Sequence, residues 1–514
     1  MRCNGLRVVI VVVGVFLAGP LPAAAGDAEP RTDWRAFAVQ LDHLIPRLLD
    51  AYGVPGAAVS IVHAGEPVWT QGYGLADKHS GLLVTADTVF QVGSISKPVA
   101  AWGVMRLAEA GKIDLDVPVE RYLTRWHLPP SGFDHRQVTL RRILSHSAGL
   151  SVHGYGGVAP GRPVPSLVES LSGRQSGQSE VRVVTLPGTR FSYSGGGYTL
   201  LQLIVEEVTG ERFAEYMQRS VLAPLGMPRS TFRQIGGLHE SSARGYDSAG
   251  RPLPAYLFTE EAAAGFCTTA ADLAVFLSAG MARRSGEPAG RGVLSAGSLE
   301  AMFTPLFAVT LLIIWGFRGD YGYGRGNMVE KMAGGPVAVG HQGGNPGWRA
   351  YFIQVPEKLA GMAVVTNSDN GLYLINDLLY AWGAWLGVGA PGVCRVSTRL
   401  NRAVSIASAA LTVARLVWLG RLAIFWSRGR MGWRVPAAGR SQRGNRMRMA
   451  GRAAASGFLI AGWFGLLKPL TSGWVAPATM LWGTVSVLAC GTVLFFGGWL
   501  GPRRPIRGGA AQLR

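Results

Sequence analysis

Acidic residues are missing from the end of this 514-residue chain: Arg395 to Arg514 hold 18 Lys and Arg and no Asp or Glu. The other 394 residues hold 32 basic and 31 acidic side chains. The formal net charge of +19 thus belongs to the tail. A nucleic-acid-binding body, whose basic footprint would lie on the folded domain, is not expected. Charge of either sign is scarce, at 16% against 48% hydrophobic residues, with a mean hydropathy of +0.20. A disordered chain needs the opposite balance. There are four cysteines, too few for a disulfide framework at this length. Cys3 lies near the start and Cys490 in an apolar run, so Cys267 and Cys394 are the pair that sequence leaves open. The patterns CxxC, HExxH and GxxxxGK[ST] do not occur, so zinc-ribbon, zincin and P-loop chemistry have no support and no cofactor or metal is assigned.

Apolar segments account for the hydropathy. Arg2 and Arg7 precede an apolar run, Val8 to Ala18, and Ala23-Ala24-Ala25 offers a small-residue cleavage site. Residues 1–25 therefore read as a secretory signal peptide, with an uncleaved anchor as the alternative. Residues 394–514 read as a membrane region with three spans, 403–426, 453–467 and 473–500. The first carries Arg415 and Arg421, and its alternative is an interfacial helix. Charge favours three spans: eight Arg lie in 427–452 and four in 501–514. An odd number of spans after an exported domain puts both groups in the cytoplasm, as the positive-inside rule prefers. The expected location is a bacterial cell membrane, with the large domain outside and the C-terminus in the cytoplasm.

Residues 26–393 are long enough for a full core. Gly56–His63 and Pro67–Tyr73 flank turn residues and read as a hairpin. Strands are expected at 337–340, 350–355 and 361–366, and helices at 99–110, 138–144, 198–209 and 371–386. Gly322-Tyr-Gly324-Arg-Gly326 and Ser172–Ser179 read as loops. Strands at both ends with helices between them predict an α+β domain whose sheet uses both termini.

Three stretches carry chemistry. In Gly93-Ser94-Ile95-Ser96-Lys97, positions 94 and 97 share a helix face, so an amine can reach a hydroxyl. Desolvation lowers the proton affinity of a lysine and makes it a base, which a weak serine nucleophile needs. Ser-x-x-Lys is also a common structural pairing. In Phe191-Ser-Tyr193-Ser-Gly195-Gly-Gly, Tyr193 could relay protons if a nearby Lys lowers its pKa. Otherwise it is a buried, hydrogen-bonded Tyr. In Gly340-His341-Gln-Gly343-Gly344-Asn345-Pro-Gly-Trp348, glycines let a substrate lie against backbone N–H groups that could bind an oxyanion.

Ser-x-x-Lys, then Tyr about 100 residues on, then a His-x-Gly strand resembles the serine penicillin-recognising enzymes. The resemblance is to their class C β-lactamase-like group, with its D-Ala-D-Ala carboxypeptidases and family VIII-type esterases. Val138 to Leu150, Pro187 to Tyr193 and Pro224 to Met227 add to it over residues 35–385. It implies a β-lactamase/transpeptidase-like fold: an antiparallel sheet from both ends of the domain plus an all-helical subdomain. It also implies Ser94 as nucleophile, Lys97 and Tyr193 sharing base and acid work, and His341 at the Lys-Thr-Gly position. The oxyanion hole would be the N–H groups of Ser94 and Gly344 beside Gly343, with His146 structural. The substrate would be a small molecule or a peptidoglycan peptide, acylating Ser94; the alternative is an acylation-dependent sensor or an inactive relative. One departure is that the family's Tyr-x-Asn reads Tyr193-Ser194-Gly195 here, which favours esters or D-amino-acid peptides over β-lactams.

Overall fold

The computed structural model describes residues 33–174, 179–233, 242–308, 321–428, 431–433, 441–464, 477–496 and 500–502. The signal peptide expected at 1–25 lies outside them. Eleven strands are numbered along the catalytic part: β1 (Gly56–His63), β2 (Glu66–Asp77), β3 (Leu82–Leu83), β4 (Phe90–Gln91), β5 (Cys267–Thr268), β6 (Phe307–Ala308), β7 (Tyr321–Tyr323), β8 (Met328–Lys331), β9 (Val337–Asn345), β10 (Trp348–Val355) and β11 (Ala360–Thr366). Nine of them form one antiparallel sheet in the order β3-β2-β1-β11-β10-β9-β8-β7-β6, while β4 and β5 pair separately. The N-terminal β1 thus lies beside the C-terminal β11, joining the two ends of the domain as expected.

The β1–β2 hairpin turns through Ala64 and Gly65, both at positive φ, between His63 and its partner Glu66. Two left-handed residues match the twist of a two-residue hairpin. The sheet is covered on both faces, so apolar residues of its central strands β1 and β11 are buried on either side. Ala57, Val59 and Ile61 pack to one side with Met362 and Val364, and Ala58 and Val62 to the other with Ala363 and Val365. This is the two-residue period of a strand expressed twice.

The first face is covered by the helix Trp34–Tyr52, whose Phe37, Leu41, Ile45 and Leu49 recur at helical spacing, and by the helix Gly371–Trp385. Asp33 caps the first of these by accepting from the Arg35 N–H, and Gly53 ends it at φ +63°. The other face meets the helical part of the domain, built around Ser96–Glu109, Gly195–Thr209 and Ala270–Ala279. The helix expected at 138–144 is shorter, Leu140–Leu144. The glycine-rich 322–326 stretch is not wholly a loop, because Tyr321–Tyr323 pairs with β8. Cys267 and Cys394 are both free thiols.

Beyond the sheet, a helix runs from Gly392 to Ser427. Its segment Leu400–Phe425, 26 residues of mean hydropathy 1.6, is long and apolar enough to cross a membrane by length and composition. The helices Ser441–Gly462 and Pro477–Phe496 cover part of the other two expected spans; residues 465–476 and 497–499 lie outside the described set. Ser456 Oγ donates to the Gly491 carbonyl at 2.8 Å and Trp463 Nε1 to Thr484 Oγ1 at 3.1 Å, joining these two helices.

Candidate active site

Ser94 sits on a single 3-10 turn, Gly93–Ile95, that feeds the buried helix Ser96–Glu109. The turn needs glycine at two places. Gly93 has φ +49°, and a Cβ there would lie 2.6 Å from the Gly344 backbone. A Cβ on Gly343 would lie 1.9 Å from the Val92 carbonyl oxygen. The end of β9 therefore presses directly on the serine turn. Ser96 braces the turn from behind, donating to the Gly93 carbonyl at 2.6 Å and accepting from the Phe266 N–H at 2.9 Å. Asn345 ties the assembly together by donating to Gln91 Oε1 at 3.0 Å and to the Ala264 carbonyl at 3.1 Å.

Lys97 lies one turn into the helix, 2% exposed. Its Nζ is 3.1 Å from Ser94 Oγ and 2.7 Å from the Ala263 carbonyl. Among the described residues no carboxylate pairs with it, and burial pulls its pKa down to about 7. Tyr193 completes the trio: its phenol faces Ser94, and its ring centroid is 4.9 Å from Lys97 Nζ. The condition set for Tyr193, a pKa lowered by a nearby lysine, is not met: burial raises it, partly offset by Ser94. The phenol is therefore protonated at neutral pH, while the amine is divided between its two forms. Ser94, Tyr193 and Gly344 reach the surface, whereas Lys97 and His341 do not.

His341 is the residue whose surroundings sequence could not supply. It is 1% exposed, and burial followed by the Lys97 charge lowers its pKa to about 3. Both ring nitrogens are engaged, Nε2 with Tyr323 Oη at 2.9 Å and Nδ1 with the Gln342 carbonyl at 2.6 Å. The Nδ1 contact requires an N–H donor, so Nε2 accepts from Tyr323. His341 is neutral. His146 is neutral too: its pKa lies well below the ordinary value through burial and the Lys97 charge. Its Nδ1 accepts from the Ser194 N–H at 3.1 Å, and its ring lies 4.2 Å from that of Tyr193. It backs the tyrosine, as a structural residue would.

Sequence reasoning named the serine, lysine, tyrosine and histidine that the fold brings together. It missed Tyr323, which fell in a stretch read as loop, and gave Asn345 no role although it quoted the residue. The Ala263 carbonyl left no side-chain signal to find.

A serine bonded to a buried, partly neutral amine and faced by a tyrosine, on a turn pressed against a sheet strand, defines a serine acyl-transfer type of site. A family model described as Beta-lactamase matches residues 41–381, and the chain belongs to that family, as a serine hydrolase of the β-lactamase and penicillin-binding-protein type. It is 29% identical over 354 residues to penicillin-binding protein 4 of Amycolatopsis lactamdurans, covering 66% of this chain and 88% of that one. To the mitochondrial serine beta-lactamase-like protein LACTB of Mus musculus it is 25% identical over 404 residues, covering 62% and 73%. The octameric penicillin-binding protein homologue from Pyrococcus abyssi superposes with a TM-score of 0.58 at 29% identity, covering 70% of this chain and 81% of that one.

Proposed function

We propose that this protein is a membrane-anchored, extracytoplasmic serine hydrolase that works through a covalent acyl-Ser94 intermediate on esters, D-amino-acid peptides or β-lactams. The observation that carries the proposal is the 3.1 Å contact between Ser94 Oγ and an amine poised near neutrality. Neutral Lys97 takes the Ser94 proton as Oγ bonds to the substrate carbonyl carbon. The N–H groups of Ser94 and Gly344 hold the oxyanion, with Gly343 keeping the strand close. Collapse breaks the bond to the leaving group, which receives a proton from Tyr193; Lys97 returns one to the phenol. Water then attacks the ester, delivers its proton through the same pair, and frees Ser94. The opposite pKa shifts support Lys97 as base and Tyr193 as acid. His341, neutral and fully bonded, offers no positive charge to a carboxylate, and this supports esters ahead of β-lactams.

In this reading residues 1–25 are removed on export, 26–393 form the hydrolase, and 394–514 anchor it with the C-terminus in the cytoplasm. The long apolar helix and the Arg distribution support the anchor. A panel of p-nitrophenyl esters, nitrocefin and D-Ala-D-Ala peptides, with Ser94→Ala as control, tests the chemistry. Turnover lost in Ser94→Ala supports the proposal, and full activity in that variant overturns it. Alkaline phosphatase fused after Arg514 tests the topology: an exported, active phosphatase would rule out three spans.

A further inference from the structure

The position where the family motif places Asn is Gly195, and the structure shows what crowds it. A Cβ at Gly195 would lie 3.1 Å from the His153 carbonyl oxygen, and one at Gly196 2.8 Å from the Ser151 carbonyl oxygen. Residues 151–153 lie across the start of the helix Gly195–Thr209 and are fastened there. The Gly195 N–H donates to the His153 carbonyl and the Gly196 N–H to the Val152 carbonyl, both at 3.0 Å. Ser194 Oγ donates to the Ser151 carbonyl at 2.6 Å. Val152 is held at φ +62°, a conformation that a β-branched residue avoids and keeps only under such constraint.

This segment delivers His153 to the catalytic group. Its ring centroid lies 5.0 Å from that of Tyr193, at 46°. The residue is exposed, in contrast to His146 and His341. Lys97, Tyr193 and His146 are the titratable groups that face it. A neutral imidazole carries one N–H donor nitrogen and one acceptor nitrogen, so the exposed ring can accept a hydrogen bond from a ligand. Burial and the Lys97 charge lower the pKa of His153, so the neutral ring prevails at neutral pH.

We propose that His153 is a substrate-binding residue standing in for the missing Asn, accepting a hydrogen bond from an N–H group beside the scissile carbonyl. The preferred acyl donor is therefore an N-acylamino ester or peptide rather than a plain ester. The inference rests on the acyl-Ser94 reading. When acid protonates the ring, its acceptor is lost and so is the preference.

The test uses the full chain in detergent micelles, with rates per site titrated by a fluorophosphonate label. Two p-nitrophenyl esters of equal size are compared from pH 5 to 9, one bearing an amide N–H next to the carbonyl and the other a methylene. The wild type should favour the amide-bearing ester, and the ratio of kcat/KM should fall as the pH drops. His153→Ala should lower that ratio about 10-fold, mainly through KM, and remove its pH dependence. His153→Gln, which keeps an acceptor, should recover most of the ratio without the pH dependence. An equal loss on both esters, or an unchanged ratio in His153→Ala, overturns the proposal. Labelling and hydrolysis that persist in Ser94→Ala would instead sink the acyl-Ser94 reading.

Discussion

Lys97 is where local chemistry and stability meet most sharply. A buried amine whose pKa drops to about 7 is a usable base at neutral pH, so kcat/KM should rise with pH through about 7. Lys97→Met should lose at least about 100-fold in rate. Stability moves in the same direction. Between about 7 and the ordinary lysine value, the unfolded chain binds the proton that the folded chain has released, so native stability rises with pH across that window. Below about 7 the folded protein carries the full cost of a buried charge. Lys97→Met should therefore be more stable by at least ~2 kcal/mol at pH 6, with a smaller gain at pH 10, as read by urea unfolding. A variant destabilised at both pH values would contradict the burial account. Lys97 and Ser94 were legible in sequence because i and i+3 on a helix must meet. The neutrality of His341 was not, since it comes from burial and from the nearby Lys97 charge, which only the folded site supplies.

At the scale of elements, the site depends on β9 closing onto the serine turn. Gly343→Ala places a methyl group 1.9 Å from the Val92 carbonyl oxygen, which the backbone can relieve only by separating. It should cost about 3 kcal/mol in urea unfolding and most of the activity. Normal stability and rate would mean that the close approach does not matter. Gly195→Asn should not simply restore β-lactam chemistry, because the His153 carbonyl stands 3.1 Å from the new Cβ. Its expected effect is lower thermal stability and no gain in nitrocefin acylation; a faster acylation would show that residues 151–153 yield easily. The apolar runs of β1, β10 and β11 and the Gly371–Trp385 helix were readable from period and composition. The approach of residues 151–153 to the glycines of 195–197 was not, because glycine shows that space is short without showing what fills it.

For the whole molecule, the tail is joined to the sheet as well as following it. Glu330 on β8 is buried, accepts from the Gly392 N–H at 2.8 Å, and pairs with Arg395 at 2.5 Å. Burial raises its pKa, with Arg395 opposing the shift. A chain ending at residue 402 should stay folded and active without the apolar helices. One ending at 391 leaves this carboxylate unpaired and should be less stable by about 3 kcal/mol in urea unfolding. Equal stability of the two would show that the pair adds nothing. The boundary at 393 expected from composition falls within the first turn of the helix Gly392–Ser427, since composition marks the apolar run but not the contact that precedes it. The central claim, acyl transfer through Ser94, is tested most directly by intact-protein and peptide mass spectrometry on samples quenched during turnover of a slow ester. The account predicts an added acyl mass on the peptide containing Ser94 that appears and decays at the rate of turnover and is absent from Ser94→Ala. Turnover without that adduct, or an adduct that never decays, would contradict it.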